Sequence, residues 1–176
     1  EDERLRLLEA CESSQCSALY PIVVLALSTG GRKSEITGIS WGDVDLRRGM
    51  VTLHDTKNGD RRSLTLASHA LMVIKKLSKV RRIDTELLFP SDRYPSKPIN
   101  FRHAWNKALE VSEVEDFHFH DLRHSAASYL AMNGATLAEI AKILGHKTLQ
   151  MVMRYAHLSE DHTAGVVTKM NEKIFG

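Results

Sequence analysis

The sequence predicts a mainly α-helical fold that contains a small three-stranded antiparallel β-sheet. Apolar residues recur at helical spacing through most of the chain, and glycines or capping residues close these segments. Between residues 44 and 66 they alternate with polar residues instead, which is typical of half-buried strands. With 176 residues, 43% of them apolar and 26% charged, the chain has the size and composition of one globular domain.

Three helices are predicted before the sheet, over residues 1–14, 19–29 and 32–39. The first would bury a row formed by Leu5, Leu8 and Cys11. The second is apolar on most sides and ends at Gly30-Gly31. The third begins at Arg32, and the unpaired backbone N–H groups at the start of a helix favour an anion there. The alternative is that Arg32 is only solvated at the helix start.

The predicted sheet is a meander of three strands, over residues 44–46, 50–53 and 63–66. Asn58-Gly59 separates the last two strands, and this dipeptide is a strong signal for a tight hairpin turn. Lys57 therefore falls at the tip of the second hairpin. A lysine there usually only discourages edge pairing, but above a phosphate it could donate a proton to a leaving oxygen.

Six helices are predicted after the sheet, over residues 68–82, 100–111, 120–132 and 136–144, from about residue 148, and over residues 159–174. Asn133-Gly134 and Gly145 end the third and fourth, and Thr136 with Glu139 forms a capping box. Apolar spacing predicts the buried faces of the third, fourth and fifth helices. These are Leu122, Ala126, Tyr129 and Leu130; Leu137, Ile140, Ala141 and Leu144; and Leu149, Val152, Met153 and Ala156.

Composition excludes several classes of protein. No apolar run approaches the roughly 18 residues of a membrane span, and the acidic start is unlike a secretory signal, so we expect a cytoplasmic protein. Cys11 and Cys16 cannot form a disulfide framework, and we expect both to be reduced. Because the chain lacks an initiator methionine, we expect a piece of something longer.

Charge is unevenly distributed along the chain. The net charge is only +2, but residues 75–107 carry nine lysines or arginines against three acidic residues. Such a stretch could bind a polyanion or form a solvated helix face, and the sequence leaves both open.

Tyr155 is a candidate nucleophile. On a helix it would lie roughly 110° from the middle of the apolar row predicted around it, so it is not simply a core residue. Its phenol has a reference pKa of about 10 and needs nearby positive charge or a base to react at neutral pH. Considered alone, the tyrosine fits a structural role better.

His120, Arg123 and His146 are candidate phosphate-binding groups. Three-residue spacing puts His120 and Arg123 on one helix face, where a guanidinium at the flank can reach outward and match two phosphate oxygens. His146 directly follows the helix-ending Gly145 and could donate to a phosphate oxygen. The alternatives are a surface arginine, a satisfied core histidine and a helix-dipole partner.

A zinc site is a competing interpretation. His118, His120 and His124 have the spacing HxHxxxH, although no further ligand of obvious spacing follows. The chain also contains no GxxxxGK[ST] loop for a nucleotide. We therefore expect neither a metal nor another cofactor.

Five segments together resemble the tyrosine recombinases of the phage integrase family. They are TGGRKSEI around Arg32, TKNGDRRSLTL around Lys57, HDLRHSAASYL around His120 and Arg123, ILGH at His146 and MVMRYAHL around Tyr155. One such motif would be weak, but five in order cover nearly the whole chain. The last segment is most similar to integrases of phages or bacterial genomic islands.

The resemblance implies the catalytic fold of DNA breaking-rejoining enzymes and site-specific recombination without a cofactor. Tyr155 would attack a phosphodiester of double-stranded DNA and form a 3′-phosphotyrosyl bond. Arg32, Arg123 and His146 would bind the phosphate, Lys57 would protonate the leaving 5′-oxygen, and His120 would serve in acid/base transfer with the tyrosine. Glu35 resembles a supporting acidic position.

The resemblance also carries expectations about domains and partners. It implies an N-terminal core-binding domain that closes a clamp around DNA, so we expect residues 1–176 to be the catalytic domain alone and to bind DNA weakly. It further implies a homotetramer on DNA through the C-terminal helix, with DNA-bending accessory proteins. Two alternatives stay open: a non-catalytic helix-turn-helix module over residues 136–155, and a related strand-passing topoisomerase.

Overall fold

The computed structural model describes residues 2–54 and 62–176, apart from the side chains of residues 159–164. It is mainly helical with one three-stranded antiparallel sheet, which confirms the predicted fold class. The chain forms two compact units, Glu1–Arg123 and His124–Gly176, called here the N-terminal and C-terminal units. No helix in the described ranges is both long and apolar enough to cross a lipid bilayer.

The N-terminal unit packs its helices and sheet around one hydrophobic cluster. Its helices are α1 (Asp2–Glu12), α2 (Leu19–Thr29), α3 (Lys33–Thr37), α4 (Ser68–Ser78) and α5 (Arg102–Ser112). Helix α2 is the most deeply buried of these, because it is apolar on nearly every side. It ends at Gly30, whose left-handed φ of 62° is readily adopted by glycine and turns the chain towards α3.

The sheet is the predicted meander. Its strands are β1 (Val44–Asp45), β2 (Met50–Leu53) and β3 (Arg62–Thr65), in the order β1-β2-β3. Val51 and Leu64 are register partners on β2 and β3, and both side chains are buried. The hairpin tip and its Lys57 lie outside the described residues, in the gap between 54 and 62.

The C-terminal unit has its own hydrophobic cluster, formed by Ala127, Ala131, Ile140, Ala141, Leu144, Val152 and Tyr155. Helix α6 (Asp121–Met132) continues into this unit, and α7 (Leu137–Leu144) and α8 (Glu160–Phe175) belong to it. The predicted capping box of α7 is present, since the Thr136 hydroxyl accepts the backbone N–H of Glu139. Gly145 ends α7 in the left-handed conformation, also as predicted.

The predicted helix from residue 148 was wrong. The structure has two short 3₁₀ helices, Leu149–Met151 and Met153–Ser159. Their backbone bonds span three residues, as from Val152 N–H to the Leu149 carbonyl. Val152 lies between the two 3₁₀ helices, and Tyr155 follows three residues later in the second. These two are buried, whereas Leu149 and Met153 are more than half exposed.

Three smaller predictions also need correction. In α1 the buried stripe is Leu7 and Cys11, four residues apart, and Leu5 is exposed. In α6 the tyrosine of the predicted face, Tyr129, is exposed, while Ala127 and Ala131 are buried instead. Helix α4 ends at Ser78, before the arginines at 81 and 82, which pair with acidic residues of the following loop.

Candidate active site

Arg32 is fixed at the start of α3 by a carboxylate one turn later. The backbone N–H of Arg32 donates to Oε2 of Glu35 at 2.7 Å, and its guanidinium Nη1 donates to Oε1 at 2.7 Å. One carboxylate therefore holds both the backbone and the side chain of Arg32. About a third of the Arg32 side chain stays exposed, so the guanidinium can still meet a ligand.

A second arginine, Arg62, binds the same carboxylate from β3. Its Nη2 donates to Oε2 of Glu35 at 2.6 Å. Arg62 opens β3 and is the register partner of Leu53, so the strand pairing sets its position. The name arginine cluster is used here for Arg32, Arg62 and Arg123 of the N-terminal unit together with Glu35, the carboxylate that binds the first two.

The charge state of Glu35 follows from these contacts. Its side chain is 7% exposed, and burial alone would raise its pKa. The backbone N–H of Arg32 and the charge of Arg62 outweigh that effect, so the pKa of Glu35 is lowered and the carboxylate is ionised at neutral pH.

Arg123 is anchored to the backbone just before Arg32. Its Nη1 donates to the Gly30 carbonyl at 2.5 Å, and its side chain is only 5% exposed. The prediction that this side chain reaches outward was wrong, because the carbonyl that follows α2 attracts the guanidinium inward. The carbonyl that anchors Arg123 therefore belongs to a residue only two positions before Arg32 in sequence.

His120 lies at the start of α6 and is exposed. The turn that contains it is closed by Asp121, whose carboxylate accepts the backbone N–H of His118 at 2.7 Å. The His120 carbonyl accepts the backbone N–H of Arg123, which holds the HxxR segment in a turn. His120 therefore directly precedes α6, and Arg123 lies in its first turn.

Tyr155 is buried in the C-terminal unit and bonded to a histidine. Its hydroxyl Oη lies 2.6 Å from Nδ1 of His124, and only 6% of the residue is exposed. Its ring packs in the cluster with Val152 and Leu144. Helical spacing predicted that Tyr155 lies away from the buried row, whereas the structure places it inside this cluster.

His146 is held at the C-terminal end of α7. Its backbone N–H donates to the Ala141 carbonyl at 2.8 Å, and the N–H of Gly145 donates to the Lys142 carbonyl. These two bonds form a Schellman motif, which fixes the chain direction after the glycine. The His146 side chain is half-buried.

The competing interpretations gain little from the structure. In the part of the chain that the structure describes, no three His, Cys, Asp or Glu side chains are grouped to hold a metal ion. The helix-turn-helix alternative requires a regular second helix, but residues 149–159 form two short 3₁₀ helices.

Cys11 is buried, and burial raises the pKa of its thiol to about 12.

Sequence reasoning missed two residues of this site. Arg62 opens β3 opposite Leu53, and its place directly before the predicted strand 63–66 was the available signal. His124 was considered only as a zinc ligand. Its contact with Tyr155 depends on the 3₁₀ segment, which the apolar spacing did not predict.

Comparison with curated proteins finds recombinases and phage integrases. The chain is 35% identical to the shufflon-specific DNA recombinase of Escherichia coli over 141 residues, covering 80% of this chain and 35% of that protein. It is 29% identical to the integrase of Salmonella phage P22, covering 99% of this chain and 46% of that protein. The chain therefore spans less than half the length of these relatives.

Comparison with solved structures supports the same assignment. The catalytic domain of bacteriophage HP1 integrase is 29% identical, with a TM-score of 0.72 and coverage of 96% of this chain and 91% of that one. The sequence profile described as "Phage integrase family" matches residues 1–162. The resemblance seen in the five motifs is thereby confirmed: the chain belongs to the phage integrase family.

Proposed function

We propose that this chain carries the catalytic centre of a tyrosine-type site-specific recombinase, with double-stranded DNA as its substrate. The arginine cluster is the observation that supports this best. A phosphodiester carries one negative charge, which rises during nucleophilic attack, and guanidinium groups match its oxygens. Arg123 is bonded to the Gly30 carbonyl, two positions before Arg32 in sequence. The family to which the chain belongs includes DNA recombinases.

The proposed reaction is a transesterification. Oη of Tyr155 attacks the phosphorus, a phosphotyrosyl bond forms at the 3′ side, and the bond to the 5′-oxygen breaks. Arg32 and Arg123 stabilise the non-bridging oxygens, and His146 donates a hydrogen bond to the phosphate. Lys57 gives a proton to the leaving 5′-oxygen, and His120 takes part in acid/base transfer. The phosphotyrosyl ester conserves the bond energy, so rejoining consumes no nucleotide.

Assembly on DNA is proposed to involve four copies joined through α8, with DNA-bending accessory proteins. Val166, Met170 and Ile174 recur every fourth residue on this helix, and each is at least half exposed. Helical spacing places them on one face, which is apolar enough to bury against another copy of the chain.

Covalent capture tests the proposal. A pool of nicked duplexes with a randomised core would be incubated with the chain, and DNA bound to protein after denaturation would be recovered and sequenced. We expect a covalent adduct that survives EDTA and is abolished by Tyr155→Phe. Tyr129→Phe is the matched control, because Tyr129 is an exposed tyrosine of α6, and it should form the adduct normally.

Two results would contradict the proposal. An adduct formed equally by Tyr155→Phe would assign the nucleophile elsewhere. The absence of any adduct from the pool, with retained DNA binding in a gel shift, would favour a non-catalytic binding module.

A further inference from the structure

The hydroxyl of Tyr155 has a titratable partner within its own unit. Nδ1 of His124 lies 2.6 Å from Oη, a distance typical of a short hydrogen bond between oxygen or nitrogen atoms. The two ring centroids are 6.4 Å apart and the ring planes are tilted by 40°, so the rings do not stack. The contact is therefore directed at the oxygen that would react.

Packing holds both partners of this contact in place. On α6, His124 lies about one helical turn before Ala127 and two turns before Ala131, and both alanines are buried in the cluster. Tyr155 is fixed by the 3₁₀ helix, whose bond from the Tyr155 N–H to the Val152 carbonyl is 3.0 Å. Preorganised contacts of this kind are what proton transfer requires, since the acceptor must lie within hydrogen-bond reach of the proton.

We propose that His124 is a catalytic residue that accepts the phenolic proton of Tyr155 as Oη attacks DNA. This inference rests on the proposed function. A neutral imidazole with its hydrogen on Nε2 presents Nδ1 as an acceptor for the phenol O–H. The O–H bond breaks, Nδ1 gains the proton, the Oη–P bond forms, and the P–O5′ bond breaks as Lys57 protonates the leaving oxygen. In the rejoining step the 5′-hydroxyl attacks phosphorus and returns its proton to Lys57, the P–Oη bond breaks, and the proton on His124 returns to Oη.

The chemistry of the two groups suits these roles. A free phenol has a pKa of about 10 and an imidazole one of about 6.5, so an ionised tyrosine is scarce at neutral pH. As the Oη–P bond forms, the oxygen loses electron density and its proton becomes acidic enough for an imidazole to accept. General bases of this kind contribute about 10²- to 10⁴-fold to a rate. The inference assigns the tyrosine's proton to His124, in place of the acid/base role proposed above for His120.

The first test replaces the base and keeps a hydrogen-bond acceptor. His124→Asn places an amide oxygen near the position of Nδ1 but cannot accept a proton at neutral pH. On a duplex selected by covalent capture, we expect adduct formation to be about 10²-fold slower near pH 7 and to recover as the pH approaches the phenol pKa of about 10. His103→Asn, at an exposed histidine of α5, should leave the rate and its pH profile unchanged.

A second substrate separates the base from the acid. A duplex with sulfur in place of the bridging 5′-oxygen has a leaving group that needs no proton. On this duplex Lys57→Ala should recover its rate, whereas His124→Asn should remain as slow as on the oxygen duplex. Urea unfolding of each variant, followed at the same pH values, shows whether the chain is folded.

The outcomes distinguish the inference from the proposed function. No adduct with the wild-type chain contradicts the proposed function itself. A wild-type adduct with an equal or faster rate in folded His124→Asn overturns the inference, because the contact would then only restrain the tyrosine. A loss that recovers with pH in His120→Asn but not in His124→Asn would assign the base to His120 instead. If His124→Asn does not fold, the same comparison with His124→Gln decides.

Discussion

Glu35 determines how the arginine cluster is arranged, although it cannot itself bind a phosphate. Its two oxygens accept from the backbone and guanidinium of Arg32 and from the guanidinium of Arg62. One negative charge thus orients two positive groups and leaves the cluster with net positive charge. Removing Arg62 would leave a largely buried carboxylate with fewer compensating donors, and such groups are costly.

Arg62→Met is therefore expected to lower the free energy of unfolding by about 1–3 kcal/mol at neutral pH. Because the pKa of Glu35 is lowered in the folded chain, its ionised contacts stabilise the fold above the ordinary carboxyl pKa. That contribution disappears as the pH falls through the lowered pKa, so the difference between wild type and variant should shrink in acid. Urea unfolding at several pH values measures it.

The control for this prediction is an exposed pair on the same sheet. Arg48 and Asp45 are 3.8 Å apart between Nε and Oδ2 and largely solvated, so Arg48→Met should change stability little at any pH. An Arg62→Met variant as stable as wild type at neutral pH, or a loss that grows in acid, would contradict the role given to Glu35.

At the scale of elements, the segment after α7 differs most from its prediction. The α-helix predicted from residue 148 would place both Val152 and Met153 on its buried face, whereas the structure buries Val152 completely and leaves Met153 54% exposed. We expect Val152→Ala to lower the free energy of unfolding by about 2 kcal/mol, because it empties a packed site. Met153→Ala should change it little, as measured by urea unfolding. Comparable losses in both variants would indicate an α-helix instead.

Elements with strong local signals were predicted well. The apolar α2 with Gly30, the capping box of α7 and the hairpin alternation each fix structure through neighbours in sequence. The 3₁₀ segment was missed because Leu149, Val152, Met153 and Ala156 also fit helical spacing, and single-sequence patterns do not separate the two geometries over one or two turns. Arg62 and His124 were missed because tertiary packing creates their contacts.

At the scale of the whole molecule, the candidate site residues divide between two units with separate hydrophobic clusters. Arg32, Glu35, Arg62, His120 and Arg123 belong to the N-terminal unit, and His124, His146 and Tyr155 to the C-terminal unit. The sequence predicted that an arginine from the first third must join residues near the end of the chain. Which pairs touch depends on the fold: among the described residues, Arg123 contacts the Gly30 carbonyl within the first unit and His124 contacts Tyr155 within the second.

Assembly is the property of the molecule that α8 is proposed to control. We expect Met170→Glu with Ile174→Glu to leave adduct formation on a single site intact and to weaken assembly on DNA with two sites. A charge on the apolar face would have to be desolvated in the interface. Light scattering of the DNA complexes measures the number of copies bound. Thr168→Glu, on the opposite face, is the matched control, and unchanged assembly by the double variant would contradict the role of α8.

The burial of Tyr155 has a consequence for reading the sequences of relatives. Its ring belongs to the buried hydrophobic cluster of the C-terminal unit, so a stable fold favours an aromatic ring there whether or not the chain cuts DNA. Exchange for serine would keep a hydroxyl but open a cavity, while exchange for phenylalanine would keep the packing and remove the hydroxyl of the proposed nucleophile. An aromatic residue at this position is thus a mark of the fold. On the proposed mechanism, the hydroxyl together with its histidine is the better mark of a working enzyme.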